Sequence, residues 1–168
     1  LRERILGGCL APGSRLHVEN LRREGIVEGV HVVGDLMLDA TRSTLERSPE
    51  GPVPDGRYLV MTLHRAENTE DWGRLEALVE GMAASPEPIL FPCHPRTRKL
   101  LRQQGWEGRL ANGPVRLLDP VGYGEMLRLA RHARLVLTDS GGPPKGAYLL
   151  GVPCLTPPGG TEGVGTVA

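Results

Sequence analysis

Short apolar runs alternate along the chain with longer segments in which the apolar residues have helical spacing. The short runs are rich in leucine, isoleucine and valine, which is typical of strands buried on both faces of a parallel sheet. They predict strands at Val30–Val33, Tyr58–Thr62, Ile89–Cys93, Val115–Leu118, Leu135–Thr138 and Pro153–Thr156. The intervening segments predict helices near Leu36–Arg47, Trp72–Ala84, Arg96–Gln104, Tyr123–His132 and Lys145–Leu150.

The helical spacing is clearest where Leu75, Leu78, Val79 and Met82 stand at positions i, i+3, i+4 and i+7. Such a stripe lies on one face of a helix, so it predicts core packing rather than a cofactor contact. Strands that alternate with helices predict the α/β class, in which a Rossmann-like parallel sheet carries helices on both faces. In such sheets ligands bind beyond the carboxyl ends of the strands.

Composition narrows the function classes. The 168 residues include 20 basic and 20 acidic side chains. This balance argues against a nucleic-acid partner or an anionic membrane surface, so any anion site must be local. No segment approaches the roughly 20 apolar residues of a membrane span, and the start lacks a secretory signal, so we expect a cytoplasmic protein. A first residue other than methionine and a glycine-rich end suggest a piece of a longer chain.

The three cysteines, Cys9, Cys93 and Cys154, are far apart in the sequence. They form no CxxC pair, which a zinc site or a redox motif commonly uses. An odd number of separated cysteines is typical of core thiols in a reducing compartment. We therefore expect neither a disulfide nor a bound metal.

Polar clusters follow several of the predicted strands, and the one after Leu135–Thr138 is the most informative. There an acid is followed by Ser140, Gly141 and Gly142, just before a helical segment. A hydroxyl and backbone N–H groups without side chains let a diphosphate approach the main chain closely. The alternative is a glycine-rich turn without a ligand. Neither a Walker A loop nor a GxGxxG fingerprint is present.

Two further clusters are predicted on the same edge of the sheet. His64 and Arg65 follow the second predicted strand, where an imidazole could bind a phosphate or transfer a proton. Glu67 either anchors these residues or charges the first turn of the next helix. His94, Arg96 and Arg98 follow the third strand, either as phosphate ligands or as the solvated start of a helix.

Four motifs in this order resemble the non-hydrolysing UDP-N-acetylglucosamine 2-epimerase family. They are GDLMLDA at 34–40, TLHRAEN at 62–68, HPRTR at 94–98 and LTDSGG at 137–142. The resemblance implies one half of a glycosyltransferase-B-type fold, with an interdomain segment and leading helix at 1–29 and a UDP-binding domain at 30–168. The amino-terminal domain, which carries the acidic catalytic residues of the family, is not part of this match.

The resemblance also implies an activity and a set of site residues. The family interconverts UDP-N-acetylglucosamine and UDP-N-acetylmannosamine without a redox cofactor, by eliminating UDP and adding it back. On this basis His64 is the catalytic candidate, and it binds UDP together with Arg65, Met126, the Ser140–Gly142 turn, Thr161 and Glu162. The segment around Met126 would flank the uracil. The full-length protein is expected to be a homodimer, and this chain alone is expected to be inactive.

The last thirty residues depart from the family pattern. The family has a glutamate that contacts the ribose where this chain has Gly146, and Pro143 and Pro144 precede it. Two prolines are tolerated in a first helical turn, but the glycine lowers helix propensity and supplies no carboxylate. We therefore expect weakened UDP affinity. Two alternatives stay open: a nucleotide-sugar glycosyltransferase of the same fold, and a non-catalytic remnant; a hydrolysing epimerase is a close variant.

Overall fold

The computed structural model describes residues 18–31, 36–47 and 54–157, and its contacts divide the chain into two units, Leu1–Leu36 and Met37–Ala168. In the first unit, helix α1 spans Val18–Arg23, within the segment predicted to lead into the domain. The helix ends in a turn in which the Ile26 N–H donates to the Leu21 carbonyl oxygen at 2.9 Å.

The second unit alternates strands and helices. Its helices are α2 at Leu36–Arg47, α3 at Ala66–Thr69, α4 at Trp72–Ala83, α5 at Pro95–Gln103, α6 at Trp106–Ala111, α7 at Tyr123–His132 and α8 at Gly142–Leu150. The first residue of α2, Leu36, is the last residue of the first unit. Its strands are β1 at Leu59–Thr62, β2 at Ile89–Pro92, β3 at Val115–Leu118, β4 at Leu135–Thr138 and β5 at Cys154–Leu155. Among the described residues no helix has the length and apolar character needed to cross a membrane.

The five strands form one parallel sheet in the order β3-β2-β1-β4-β5. The chain runs outward from β1 to β3, and then returns through α7 to place β4 on the other side of β1. The carboxyl ends of β1 and β4 therefore meet where the strand order reverses, which is the usual position of a ligand crevice in doubly wound sheets. The predicted Rossmann-like parallel α/β fold is confirmed.

Helices cover both faces of the sheet because successive side chains of each strand point in opposite directions. Leu59 and Met61 of β1 pack with the buried face of α4, including Leu75 and Val79. Val60, between them in sequence, packs on the other face with residues of α7. The predicted apolar stripe of α4 is thus core, and both clusters consist of apolar and aromatic side chains.

Most predicted elements are present with bounds within three residues. The first predicted strand, Val30–Val33, is the exception: Val30 and His31 have no strand structure, and Val32 and Val33 lie outside the described residues. Helices α3 and α6 were not among the predicted elements, since segments of 4 and 6 residues are too short to show helical periodicity. Helix α8 begins at Gly142, three residues before its predicted start at Lys145, because its first turn tolerates Pro143 and Pro144.

Cys93 gives a prediction about reactivity. It is fully buried, and burial raises the pKa of its thiol to about 11, against a smaller opposing effect of the Arg98 charge. Because the thiolate is the reactive form, we expect Cys93 to resist alkylation at pH 8 until the chain unfolds. Peptide mass spectrometry after brief iodoacetamide treatment, with and without urea, measures this. Rapid labelling of the folded chain would contradict it.

The same thiol should make stability depend on alkaline pH. An unfolded thiol loses its proton near its ordinary pKa of 9, whereas the folded thiol keeps it to about 11. The folded state therefore binds more protons in this range, and its free energy of unfolding should fall as the pH rises from 9 through 11. A Cys93→Ala variant should show a smaller decrease in urea titrations at these pH values.

Candidate functional site

The candidate site lies at the carboxyl ends of β1 and β4, which are adjacent strands paired from Leu59 to Thr62 with Leu135 to Thr138. The last residues of this pairing, Thr62 and Thr138, place their hydroxyl oxygens 2.6 Å apart. The chain then leaves the sheet in two loops that contain His64 and Ser140. Residues far apart in sequence are therefore brought to one point of the sheet edge.

Asp139 joins the two loops. Its side chain is buried, and its carboxylate accepts hydrogen bonds from the backbone N–H groups of His64 (3.0 and 3.1 Å) and Arg65 (2.8 Å). The Asn68 amide donates a further bond at 3.3 Å. These donors compensate the burial of a negative charge, which would otherwise be costly. The acid after β4 thus holds the shape of the loop after β1.

The His64 ring stands at the edge of this arrangement. Its Nδ1 atom lies 3.2 Å from Oδ1 of Asp139, and its side chain is 43% exposed whereas that of Asp139 is 1% exposed. One side of the imidazole therefore faces a buried carboxylate, and the ring remains accessible to a ligand. An imidazole in this position can bind an anion or move a proton.

The turn at Ser140 and Gly141 leads into helix α8. The Ser140 N–H donates to the Thr138 hydroxyl oxygen at 3.0 Å, and Gly141 is the N-cap residue of the helix, with φ −76° and ψ −23°. A Cβ atom built on Gly141 would lie 3.9 Å from Nη2 of Arg65. The guanidinium of Arg65 and the helix start are therefore close neighbours, and both carry positive charge or partial charge suited to an anion.

A cavity of about 260 Å³ lies beside this turn. Helices α2, α7 and α8 and the two central strands line it, with Met37, Thr62, Met126, Pro143 and Gly146 among the lining residues. Met126, predicted to flank a base, is half-buried here. A Cβ atom built on Gly146 would lie 3.9 Å from Cδ2 of Leu127. The cavity brings together Met126 and the departures at 143 and 146 that the sequence singled out.

The third cluster is used mainly for structure. His94 is the N-cap residue of α5, and its Nδ1 accepts from the Arg96 N–H at 3.3 Å. Arg96 pairs with Glu70 at the surface. Arg98 pairs with Glu107 at 3.0 Å and with Asp119 at 2.6 Å. These contacts favour the helix-start alternative for HPRTR over the phosphate alternative.

Two residues were missed in the site predicted from sequence. Asp139 and the buried Asn68 anchor the His64 loop, a role considered for Glu67, which is exposed in the first turn of α3. An acid directly after a central strand was a visible signal, but its partners lie more than 70 residues away. Thr161 and Glu162 lie outside the described residues.

The fold and this edge define a doubly wound α/β domain with its candidate ligand site at the reversal of strand order. A family model described as UDP-N-acetylglucosamine 2-epimerase matches residues 10–164. The chain belongs to the UDP-N-acetylglucosamine 2-epimerase family. The resemblance inferred from the four motifs is confirmed.

Individual relatives agree with this assignment. A UDP-N-acetylglucosamine 2-epimerase homolog of Methanococcus maripaludis is 41% identical over 157 residues, which are 88% of this chain and 44% of the relative. A UDP-2,3-diacetamido-2,3-dideoxy-D-glucuronate 2-epimerase of Pseudomonas aeruginosa is 38% identical over 90% of this chain and 44% of the relative. The chain thus spans about half the length of the curated relatives it matches.

A solved structure agrees as well. The Methanocaldococcus jannaschii UDP-GlcNAc 2-epimerase in complex with UDP-GlcNAc and UDP superposes with a TM-score of 0.70 at 38% identity. The match covers 86% of this chain and 43% of that one. At this identity the likeness extends beyond the fold to the family.

Proposed function

We propose that this chain is the UDP-binding half of a UDP-N-acetylglucosamine 2-epimerase, an isomerase that acts by elimination and re-addition of UDP. One observation carries the proposal: Asp139 holds the His64–Arg65 loop beside the Ser140–Gly142 turn at the sheet edge, in a family with a relative solved as a complex with UDP. We expect the isolated chain to bind UDP without turning over a UDP-sugar.

The proposed chemistry explains why these groups converge. When the anomeric C–O bond breaks, negative charge develops on the diphosphate that leaves. The backbone N–H groups of Gly141 and Gly142, which precede Pro143 and Pro144 at the start of α8, and the cations of the opposite loop are oriented in advance toward that charge, so they stabilise it without reorganising. His64, exposed on one side, is the group proposed to contact the diphosphate directly. The same contacts would hold UDP until it returns to the sugar.

The nucleoside is proposed to lie next to Met126, in or beside the cavity that contains Gly146. The lining of this cavity is mainly apolar, which suits the face of a base better than the hydroxyls of a ribose. A carboxylate at residue 146 would supply an acceptor for those hydroxyls, and its absence supports our expectation of weak binding. Thr161 and Glu162 are proposed to complete the UDP site.

The identity of the sugar and the oligomeric state are proposed from the relatives and from the family resemblance. The names of the relatives share the UDP group but differ in the sugar, so support for UDP is stronger than for N-acetylglucosamine. We assign the proton chemistry at the sugar to a domain outside this chain. The family resemblance supports a cytoplasmic homodimer that supplies precursors of cell-surface polysaccharides.

Calorimetric titration with UDP tests the proposal. We expect saturable binding that Ser140→Ala weakens, because one donor to the diphosphate is lost, and that Gly146→Glu strengthens through the ribose hydroxyls. Each change should be about ten- to a hundredfold, since a hydrogen bond to a charged group contributes about 1.5–3 kcal/mol and 1.4 kcal/mol is about a factor of ten in affinity.

A matched serine controls for nonspecific effects. Ser85 lies in a loop distant in sequence, where its hydroxyl donates to the Glu87 carbonyl oxygen at 2.8 Å. Ser85→Ala should leave UDP affinity unchanged. The proposal fails if neither the unaltered chain nor Gly146→Glu binds UDP at millimolar concentration.

A further inference from the structure

Asp139 is buried at the candidate site, and the proposed function leaves it without a role in the reaction. Its two carboxylate oxygens divide their contacts. Oδ1 lies near both the backbone N–H and the ring Nδ1 of His64, while Oδ2 accepts from the N–H groups of His64 and Arg65 and from the Asn68 amide. One acid therefore contacts both the main chain and the side chain of the same histidine.

The double contact constrains the ring. Three contacts with the loop hold the carboxylate and the histidine backbone in a fixed relation, so the remaining freedom of His64 is the rotation of its side chain. A carboxylate oxygen accepts hydrogen bonds, so of the two neutral forms of the ring the one with its hydrogen on Nδ1, 3.2 Å from Oδ1 of Asp139, is favoured. The other nitrogen, Nε2, is then on the far side of the ring from Asp139.

We propose that Asp139 is a positioning residue that selects the Nδ1–H form of His64 and turns Nε2 toward the diphosphate. The inference rests on the proposed function for the identity of the ligand. When the ring carries protons on both nitrogens, Nδ1–H points to Asp139 and Nε2–H is available to a phosphate oxygen. The arrangement follows a common pattern, in which the partner of one imidazole nitrogen determines what the other can do.

The competing role is purely structural. Asp139 would then hold the loop backbone, and the ring would lie near it without being directed by it. Both roles predict loss of stability when Asp139 is replaced, so stability cannot separate them. Two other measurements separate the roles: which ring nitrogen of His64 carries the hydrogen, and how strongly the effects of replacing Asp139 and His64 depend on each other.

The first test uses the unaltered chain. Nitrogen-15 NMR of histidine side chains, at a pH well above the usual histidine pKa of about 6.5, reports which nitrogen carries the proton. The chain has 5 histidines, and His64→Gln assigns the signal. We expect neutral His64 to be protonated at Nδ1. A predominant Nε2–H form overturns the proposal, whether or not the chain binds UDP.

The second test is a double-mutant cycle of UDP affinity. Asp139→Asn and His64→Ala should each weaken binding about tenfold, and the double variant should bind no more weakly than His64→Ala alone. An Asp139→Asn effect of the same size in both backgrounds overturns the proposal, because the acid would then act without the ring.

A matched control and the NMR result separate the remaining outcomes. Asp71 is an exposed helix cap, and Asp71→Asn should leave UDP affinity unchanged. If the unaltered chain does not bind UDP, the proposed function fails and the NMR result alone decides the positioning role. If Asp139→Asn does not fold, the NMR result on the unaltered chain again decides the positioning role.

Discussion

Replacing Asp139 with alanine is expected to lower the free energy of unfolding by about 3 kcal/mol, since buried donors lose a charged acceptor. The backbone N–H groups of His64 and Arg65 and the buried Asn68 amide all donate to this carboxylate. Alanine removes their acceptor and leaves these donors without a protein partner at this position. The loss should appear as a lower urea midpoint with an unchanged slope.

An exposed acid on the same sheet edge provides the control. Asp119 pairs with Arg98, but its side chain is 89% exposed. Exposed ion pairs contribute about 0–1 kcal/mol, so Asp119→Ala should have a much smaller effect. Equal losses for the two variants would mean that the Asp139 contacts contribute little beyond a surface pair, and that the loop is held by other means.

Replacing Gly141 with leucine is expected to weaken UDP binding at least about tenfold while lowering the free energy of unfolding by only about 1 kcal/mol, the usual cost of a poor N-cap residue. The backbone of Gly141 has φ −76°, which any residue adopts, and a Cβ atom would meet nothing closer than 3.9 Å. Neither the backbone conformation nor the space around a Cβ atom therefore requires glycine here. A diphosphate that approaches the backbone does require glycine at 141, because a larger side chain would occupy the position of the phosphate.

The same substitution elsewhere separates the two effects. Gly108 is exposed in helix α6, and a Cβ atom built on it meets nothing within 4 Å. Gly108→Leu should leave UDP affinity unchanged and raise the free energy of unfolding by about 0.5–1 kcal/mol, because glycine inside a helix costs about that much relative to leucine. Calorimetry and thermal denaturation of both variants measure the outcome. Unchanged affinity in Gly141→Leu would show that UDP does not approach this turn.

The strands could be predicted from sequence because parallel strands are buried on both faces. The central strands β1, β2 and β4 therefore read as nearly continuous apolar runs, and β4 has the bounds that its run predicts. The edge strand β3 also has its predicted bounds, although it contains the exposed Arg116. The same argument fails at Val30 and His31, the part of the predicted strand at 30–33 that the structure describes. An apolar run indicates burial, but pairing with a neighbouring strand depends on residues distant in sequence.

The candidate site could be predicted in part. Because carboxyl ends of parallel strands share one edge, the clusters at His64 and Ser140 were expected to lie close together, and the adjacent pairing of β1 and β4 brings them there. The arginines after β2 could not be assigned in the same way. Whether Arg98 faces a ligand or an acid depends on Glu107 and Asp119, which approach it from α6 and the end of β3.

The sequence by itself determined the α/β class, the strand runs, the family and the residue types available for phosphate binding, since these depend on local pattern and ordered motifs. Only the tertiary structure decided that Asp139, rather than Glu67, holds the His64 loop. It also decided that Gly146 and Met126 share one cavity. The physical reason is that a buried charge is stabilised by whichever donors the fold brings to it, and chain order does not specify which donors those are.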